Sequence, residues 1–204
     1  MKVAVEFVTV PREGEKENGD AAMVRRVDET VLVAVIDALG HGEHAAAAAT
    51  AALRYLEEAR LDRGLRPVVE ELHHRLRGTR GAAAMLLLFQ KQKLEGCGVG
   101  NVGLRAYRAR VPAMLTPGIL GGSITRLRLF QGEVAAGDRI ILFSDGISAR
   151  FEEEGSRSTP ALATCQAIME RHRKPHDDAT VLVTDIEATI DGGPPTPKPP
   201  LRAP

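Results

Sequence analysis

Residues 20–37 have the sequence DAAMVRRVDETVLVAVID, in which two short runs of strand-forming residues flank the polar pair Asp28-Glu29. This pattern predicts an antiparallel hairpin with a tight turn. Counting outward from the turn places Asp20 opposite Asp37. Like charges on facing residues destabilise a sheet, and a bound cation would reverse that effect. The hairpin therefore favours a metal site. The alternative is that the turn lies elsewhere, because Asp-Glu is not a favoured turn pair. In that case the two carboxylates diverge into solvent.

A second pair of aspartates repeats the pattern. The apolar run Arg139–Phe143 stops just before Asp145, and Asp177 comes just before the β-branched run Ala179–Val183. If the two runs are neighbouring antiparallel strands, Asp145 and Asp177 meet as the first pair does. Hard divalent cations prefer oxygen ligands, and two close carboxylate pairs suit two such ions. A centre of that kind supports hydrolysis of a phosphate ester.

Four short motifs surround the aspartates, and two further segments lie between them. The motifs are Asn18-Gly19-Asp20, Asp37-Ala38-Leu39-Gly40-His41-Gly42, Ser144-Asp145-Gly146 and Asp177-Asp178-Ala179-Thr180, and the segments are Arg80–Ala84 and Val99–Gly103. In this order the motifs resemble the metal motifs of the metal-dependent serine/threonine protein phosphatases of type 2C, in the bacterial SpoIIE-like branch. The two segments resemble the RsbX-like subgroup of that branch, and the resemblance covers about residues 1–186.

The resemblance implies an α+β fold, a four-layer α-β-β-α sandwich of two antiparallel sheets flanked by helices. It also implies two divalent cations, Mn²⁺ or Mg²⁺, at one end of the sandwich. In this family pattern Asp37 bridges both ions and Ala38 offers its backbone carbonyl. Asp20, Asp145 and Asp177 complete the two shells, directly or through water.

Two positions depart from the family pattern. The family usually has glycine after the bridging aspartate, where this chain has Ala38. A carbonyl ligand survives this change, but a Cβ narrows the allowed φ and ψ.

His41 lies further along its loop than the histidine that protonates the leaving oxygen in several relatives. It is a candidate general acid, because its pKa class suits proton transfer near neutrality, and the alternative is a solvent-exposed residue at a helix start.

The function implied by the resemblance is a phosphoserine/phosphothreonine protein phosphatase. Its substrates would be phosphorylated STAS-domain proteins of a stressosome, and dephosphorylation would reset a stress signal. Two alternatives remain open at the level of sequence. One is a non-catalytic module of the same fold that binds phosphoproteins, for which Ala38 is the only hint. The other is a metal phosphodiesterase that acts on small molecules.

Composition fits one compact domain with a hydrophobic core, since 44% of the 204 residues are hydrophobic. The 27 basic and 27 acidic residues give no net charge, so nucleic-acid binding is not indicated. An interrupted apolar start and the lack of a long apolar run indicate a cytoplasmic protein without a membrane partner, which we expect to be monomeric. Cys97 and Cys165 read as buried thiols. The phosphatase domain is expected at 1–188, followed by a disordered Pro/Gly-rich tail at 189–204.

The remaining pattern predicts strands and helices consistent with the sandwich. A loop at Pro117–Gly122 is expected to be mobile and to border the substrate groove. Helices are predicted at Glu43–Ala59, from Pro67 to about Leu76, and at Pro160–Arg171. Further strands are predicted at Val3–Val10, at Ala82–Phe89, Leu94–Gly100 and Gly103–Ala109 as a meander, and from Arg126 to Phe130.

Overall fold

The computed structural model describes residues 2–151 and 158–188 of the 204-residue chain. The tail predicted at 189–204 lies outside these residues. Ten strands and three helices are found in the described part. In chain order they are β1 (Lys2–Val10), β2 (Asp20–Val27), β3 (Thr30–Ala38), α1 (Glu43–Glu58), α2 (Leu65–Arg75), β4 (Ala82–Gln90), β5 (Lys93–Val99), β6 (Gly103–Tyr107), β7 (Leu115–Thr116), β8 (Leu129–Glu133), β9 (Arg139–Phe143), α3 (Ala161–His172) and β10 (Ala179–Glu187).

The strands form two sheets. Sheet I has the order β1-β10-β9-β6, and sheet II has the order β2-β3-β4-β5-β7, with β8 also paired to β5. Neighbouring strands are antiparallel except β5 and β7, which are parallel. No helix in the described part is long and apolar enough to cross a membrane.

Three hydrophobic clusters separate four layers. One cluster lies between α1, α2 and sheet II, a second between the two sheets, and a third between sheet I and α3. Strand β4 contributes side chains to two of these clusters. Ala84 and Leu86 face the helices, whereas Met85 and Leu87 face sheet I. A strand buried on both faces carries a continuous apolar run. The predicted α-β-β-α sandwich is therefore confirmed.

The β2-β3 hairpin has the predicted register. Val27 pairs with Thr30, and Asp20 pairs with Asp37 at the far end. Asp28 takes a positive φ of 50° in the turn, a conformation that aspartate tolerates better than most residues. The Asp-Glu pair therefore closes a tight turn, and the alternative in which the carboxylates diverge is excluded.

Some predicted elements differ from the structure. The meander was wrong in its last step, because β6 leaves sheet II and pairs with β9 in sheet I. Gly103 permits this pairing, since a Cβ there would lie 2.2 Å from the ring of Phe143. Helix α2 begins at Leu65, two residues before Pro67, and β8 begins at Leu129. Boundaries of short elements depend on tertiary pairing more than on local pattern.

Candidate metal centre

The four predicted aspartates lie at one edge of the sandwich. Asp20 begins β2, and Asp37 is the penultimate residue of β3. Asp145 follows the end of β9 by two residues, and Asp177 precedes β10 by two. Because β9 and β10 are antiparallel neighbours, the end of one and the start of the other meet at the same edge.

The carboxylates of Asp20 and Asp37 are buried, and each lacks a hydrogen-bond partner on one oxygen. Asp20 is 5% exposed, and one carboxylate oxygen, Oδ2, of both Asp20 and Asp37 is buried with no hydrogen-bond partner. Burial, and next the charge of Asp37, raise the pKa of Asp20 well above its ordinary value. Burial and the charge of Asp145 raise the pKa of Asp37 to about 7. Orphaned buried oxygens are rare in folded proteins and require an explanation.

The second pair also makes contact, but not as a cross-strand pair. Phe143 pairs with Val181, so the register would place Asp145 opposite Ala179. The predicted cross-strand pairing of Asp145 with Asp177 was wrong for that reason. Both side chains nevertheless line the same cleft, and burial, and next the charge of Asp177, raise the pKa of Asp145. Loops beyond the two strands, rather than the ladder, bring these carboxylates together.

Two hydroxyl residues join the halves of the site. Ser144 and Thr180 both hydrogen-bond the side chain of Asp20. The Thr180 N–H in turn donates to Ser144 Oγ over 2.9 Å. Sheet I therefore holds a carboxylate of sheet II in place, and the sandwich must close before the four aspartates can converge.

Ala38 ends β3 in extended backbone. It pairs with Ala82, is 2% exposed, and donates its N–H to the Gly19 carbonyl over 3.0 Å. It is not among the described non-glycine residues with positive φ. Its Cβ packs in the cluster beneath the helices. The departure from glycine therefore introduces no backbone strain here.

His41 is at the mouth of the site. Its side chain is 47% exposed, and Nδ1 lies 2.9 Å from Glu15 Oε1. Because a carboxylate oxygen accepts, Nδ1 carries the shared hydrogen and Nε2 is left for another partner. His41 is therefore exposed, as the alternative prediction of a solvent-exposed residue at a helix start expected, but it also contacts Glu15, which that prediction did not include.

The contacts of three residues at the site, Asn101, Lys174 and Asp178, were not predicted from sequence. Asn101 donates its side-chain N–H to Asp145 Oδ2, and Lys174 Nζ donates to the Asp145 carbonyl. Asp178 accepts the N–H groups of Arg12 and Gly19, both over 2.9 Å. The Asn101 and Asp178 positions belong to motifs noted above, which was the available signal. Lys174 has no motif, and only the folded loop places it beside Asp145.

A cleft of about 530 Å³ opens over the carboxylates. Pro117, Gly118 and Ile119 form part of its wall, so the predicted loop does border it. This loop is tied down, because Leu120 exchanges two backbone hydrogen bonds with Ala82, of 2.9 and 3.0 Å. The full lining is Asp37, Leu39, Gly40, His41, Ala83, Gly100, Asn101, Pro117, Gly118, Ile119, Asp145 and Asp177.

The donor set fits hard divalent cations better than zinc. The converging side chains are carboxylates, and the orphaned oxygens of Asp20 and Asp37 are free to ligate. Within residues 2–151 and 158–188, no three His, Cys, Asp or Glu side chains are already arranged to hold one ion by themselves.

Comparison with known proteins agrees with this geometry. Residues 27–194 match the family model for stage II sporulation protein E, SpoIIE. The chain belongs to the SpoIIE family of serine/threonine phosphatases. A protein from a structural study of the bacterial stressosome, described as a modular system adapted to control secondary messenger signaling, is 32% identical over 90% of this chain and 100% of its own, with a TM-score of 0.84. The family, the fold and the enzyme class predicted from the motifs are confirmed.

Two more distant structures share the fold. RsbX in complex with magnesium is 19% identical, with a TM-score of 0.78 over 90% of this chain and 94% of its own. The Mycobacterium tuberculosis serine/threonine phosphatase PstP/Ppp is 20% identical, with a TM-score of 0.69 over 91% of this chain and 99% of its own. No curated protein sequence matches the chain. This SpoIIE-family chain is thus RsbX-like in architecture.

Proposed function

We propose that this SpoIIE-family protein is a metal-dependent phosphoserine/phosphothreonine protein phosphatase of the stressosome. One observation carries the proposal. Asp20 and Asp37 face each other across the hairpin, each with a buried oxygen that lacks a partner. Such a pair destabilises the empty fold and is stabilised when cations bind between the carboxylates.

Asp37 is the proposed bridging ligand of two Mn²⁺ or Mg²⁺ ions. It lies opposite Asp20, and the charges of Asp145 and Asp177 raise its pKa. Asp37 is therefore close to both carboxylate pairs. Asp20, the Ala38 carbonyl, Asp145 and Asp177 are the other proposed ligands. When bound, the ions supply Lewis-acid stabilisation of the phosphoryl oxygens and an activated water.

His41 is the proposed general acid. It lines the cleft, and Glu15 fixes its ring through Nδ1. That contact leaves Nε2 to deliver a proton to the leaving serine or threonine oxygen. Asp37 and His41 are therefore the two residues to which we assign catalytic roles.

The proposed substrates are phosphorylated STAS-domain proteins of a stressosome, and their dephosphorylation resets the stress response. This assignment is supported by the similarity to a stressosome-related structure and to RsbX. We propose a monomer that acts in the cytoplasm. Cys97 and Cys165 fit a reducing compartment, because both are free, and burial raises the pKa of each thiol to about 12.

The test measures phosphate release from p-nitrophenyl phosphate and from a phosphoserine STAS protein, with and without Mn²⁺. We expect Mn²⁺-dependent turnover by the wild type and a loss of at least about a hundredfold in Asp37→Asn. Residues that merely orient a metal ligand already cost ten- to a hundredfold when replaced. Asp28→Asn is the matched control, because it makes the same change in the turn at the opposite end of the hairpin.

Other outcomes separate the alternatives. Substantial Mn²⁺-dependent turnover by Asp37→Asn would contradict the assignment of that residue. A folded wild type that binds the phosphoprotein but releases no phosphate with Mn²⁺ or Mg²⁺ would favour the non-catalytic module. Turnover of cyclic nucleotides with none of phosphoprotein would favour the small-molecule phosphodiesterase.

A further inference from the structure

One rim of the cleft combines a positive charge with apolar side chains. We define the Arg80 rim as Leu39, Gly40, Arg80 and Ile119. Leu39, Gly40 and Ile119 line the cleft. Leu39 is 40% exposed, and its N–H donates to the Gly81 carbonyl over 3.0 Å. This places the turn that carries Arg80 directly beside the metal loop.

The backbone around Arg80 is held by close packing. Gly81 has a φ of 76°, and a Cβ on it would lie 2.5 Å from the Leu120 carbonyl oxygen. Its N–H donates to Thr79 Oγ1 over 3.0 Å. These contacts fix the direction in which the Arg80 side chain leaves the backbone.

The guanidinium of Arg80 packs over Gly40. A Cβ added to Gly40 would lie 2.4 Å from Arg80 Nη1, and Gly40 has a φ of 83°. The backbone conformation favours glycine at this position, and the missing Cβ leaves the space that Arg80 occupies. Arg80 itself is exposed, so its remaining N–H groups face solvent at the cleft mouth.

Arg80 is a charge without a partner in the described part of the chain. No carboxylate or other acceptor among residues 2–151 and 158–188 forms an ion pair or hydrogen bond with it. The cleft lining contains no lysine or arginine, and Lys174 donates to the Asp145 carbonyl. An exposed, pre-oriented guanidinium is suited to bind a carboxylate from outside.

We propose that Arg80 is a specificity-determining residue that binds an acidic side chain next to the phosphoserine of the substrate, with Leu39 and Ile119 contacting the adjoining chain. The proposal rests on the phosphatase function above. Arg80 is not among the residues that line the cleft over the aspartates, and it lies beside Gly40 and Leu39 at the rim. We therefore assign it to a carboxylate of the peptide that flanks the phosphoryl group, rather than to the phosphoryl group itself.

The experiment compares two phosphoserine peptides that differ only at the flanking residues, which are aspartates in one and alanines in the other. We expect the wild type to have the higher kcat/KM for the aspartate peptide. Arg80→Ala should lower kcat/KM for the aspartate peptide roughly fivefold, which is the upper range for a solvent-exposed ion pair. Arg80→Glu should lower it further. Arg80→Lys should retain part of the preference, and added salt should weaken it.

Two controls isolate the effect. Arg54→Glu makes the same charge reversal at an exposed position on α1 and should leave the peptide preference intact. p-Nitrophenyl phosphate has no flanking residues, so its kcat and KM should change less than twofold in Arg80→Ala. An equal fall for both classes of substrate would overturn the proposal, because Arg80 would then act on the phosphoryl group or the metal loop.

The outcome is separable from that of the phosphatase proposal. If the wild type turns over no phosphate ester, binding of the two fluorescently labelled peptides to wild type and Arg80→Glu is measured by anisotropy. A preference of the wild type for the aspartate peptide that Arg80→Glu loses would support the rim without catalysis. Equal affinities for the two peptides, or a preference that survives Arg80→Glu, would overturn the rim proposal.

Discussion

At the scale of single residues, the site depends on a few side chains whose surroundings conflict with their charge. Asp20 and Asp37 are buried carboxylates with raised pKa values, whereas Asp178 beside them accepts two backbone N–H groups. The satisfied aspartate is a structural element that joins the loop before β2 to the loop before β10. The unsatisfied ones are candidates for ligand binding.

The proposed role of His41 predicts a dependence on the leaving group. His41→Asn should reduce turnover of phosphoserine peptide by about a hundredfold, within the usual range for a general acid. Turnover of p-nitrophenyl phosphate should fall far less, because p-nitrophenolate leaves without a proton. Steady-state kinetics with both substrates measure this difference. His44→Asn, an exposed residue at the start of α1, is the matched control, and equal losses for both substrates in His41→Asn would contradict the general-acid role.

At the scale of elements, one buried ion pair ties β9, β10 and the segment around α3 together. Arg139 is 1% exposed and forms two bonds to Asp185, of 2.7 and 2.8 Å. Its guanidinium also donates to Thr164 Oγ1 and to the Thr159 carbonyl. A buried bidentate pair whose guanidinium makes two further hydrogen bonds satisfies the charge of both residues.

Breaking this pair should destabilise sheet I strongly. Arg139→Met leaves Asp185 buried and unpaired, at a cost of about 3–5 kcal/mol in the free energy of unfolding. Lys2→Met is the control, because it breaks a pair with Glu187 on the same sheet whose side chains are 72% and 39% exposed, and it should cost at most about 1 kcal/mol. Urea denaturation measures both. The double variant Arg139→Met/Asp185→Leu should recover much of the loss, and equal costs for the two single variants would refute this account.

At the scale of the whole molecule, the carboxylate cluster links global stability to pH and to metal. Folding raises the pKa of Asp37 from the ordinary aspartate value to about 7, and those of Asp20 and Asp145 rise as well. The folded metal-free protein therefore binds more protons than the unfolded chain between about pH 4 and pH 7. The stability that these protonated carboxyl groups contribute is fully present below that window and is lost as the pH rises through it.

Denaturation in a chelator from pH 5 to pH 8 should show this fall. Mn²⁺ or Mg²⁺ should flatten the dependence and raise the stability at pH 8, because cations bind the deprotonated carboxylates. Asp20→Asn should weaken the pH dependence, since it removes one of the facing charges. Stability of the metal-free protein that rises with pH across this window would contradict the raised pKa values.

The domain limits remain a proposal at this scale. We propose that residues 1–188 form the phosphatase domain, because β10, the last described strand, runs to Glu187 and lies between β1 and β9 in sheet I.

What the sequence determined by itself was the part governed by local order along the chain. The two strand-forming runs within residues 20–37, with the polar pair Asp28-Glu29 between them, predicted the hairpin and the Asp20–Asp37 pair, because antiparallel register follows from counting outward from a turn. The ordered motifs predicted the family, the sandwich and the residues that the edge of the two sheets brings together.

Only the tertiary structure decided how distant segments meet. Pairing of β6 with β9, the loop contact between Asp145 and Asp177, and the positions of Lys174 and Arg80 depend on closing the two sheets and on the glycines that permit close approach. These contacts join residues far apart in the chain, and their energies come from burial and packing that no local pattern encodes.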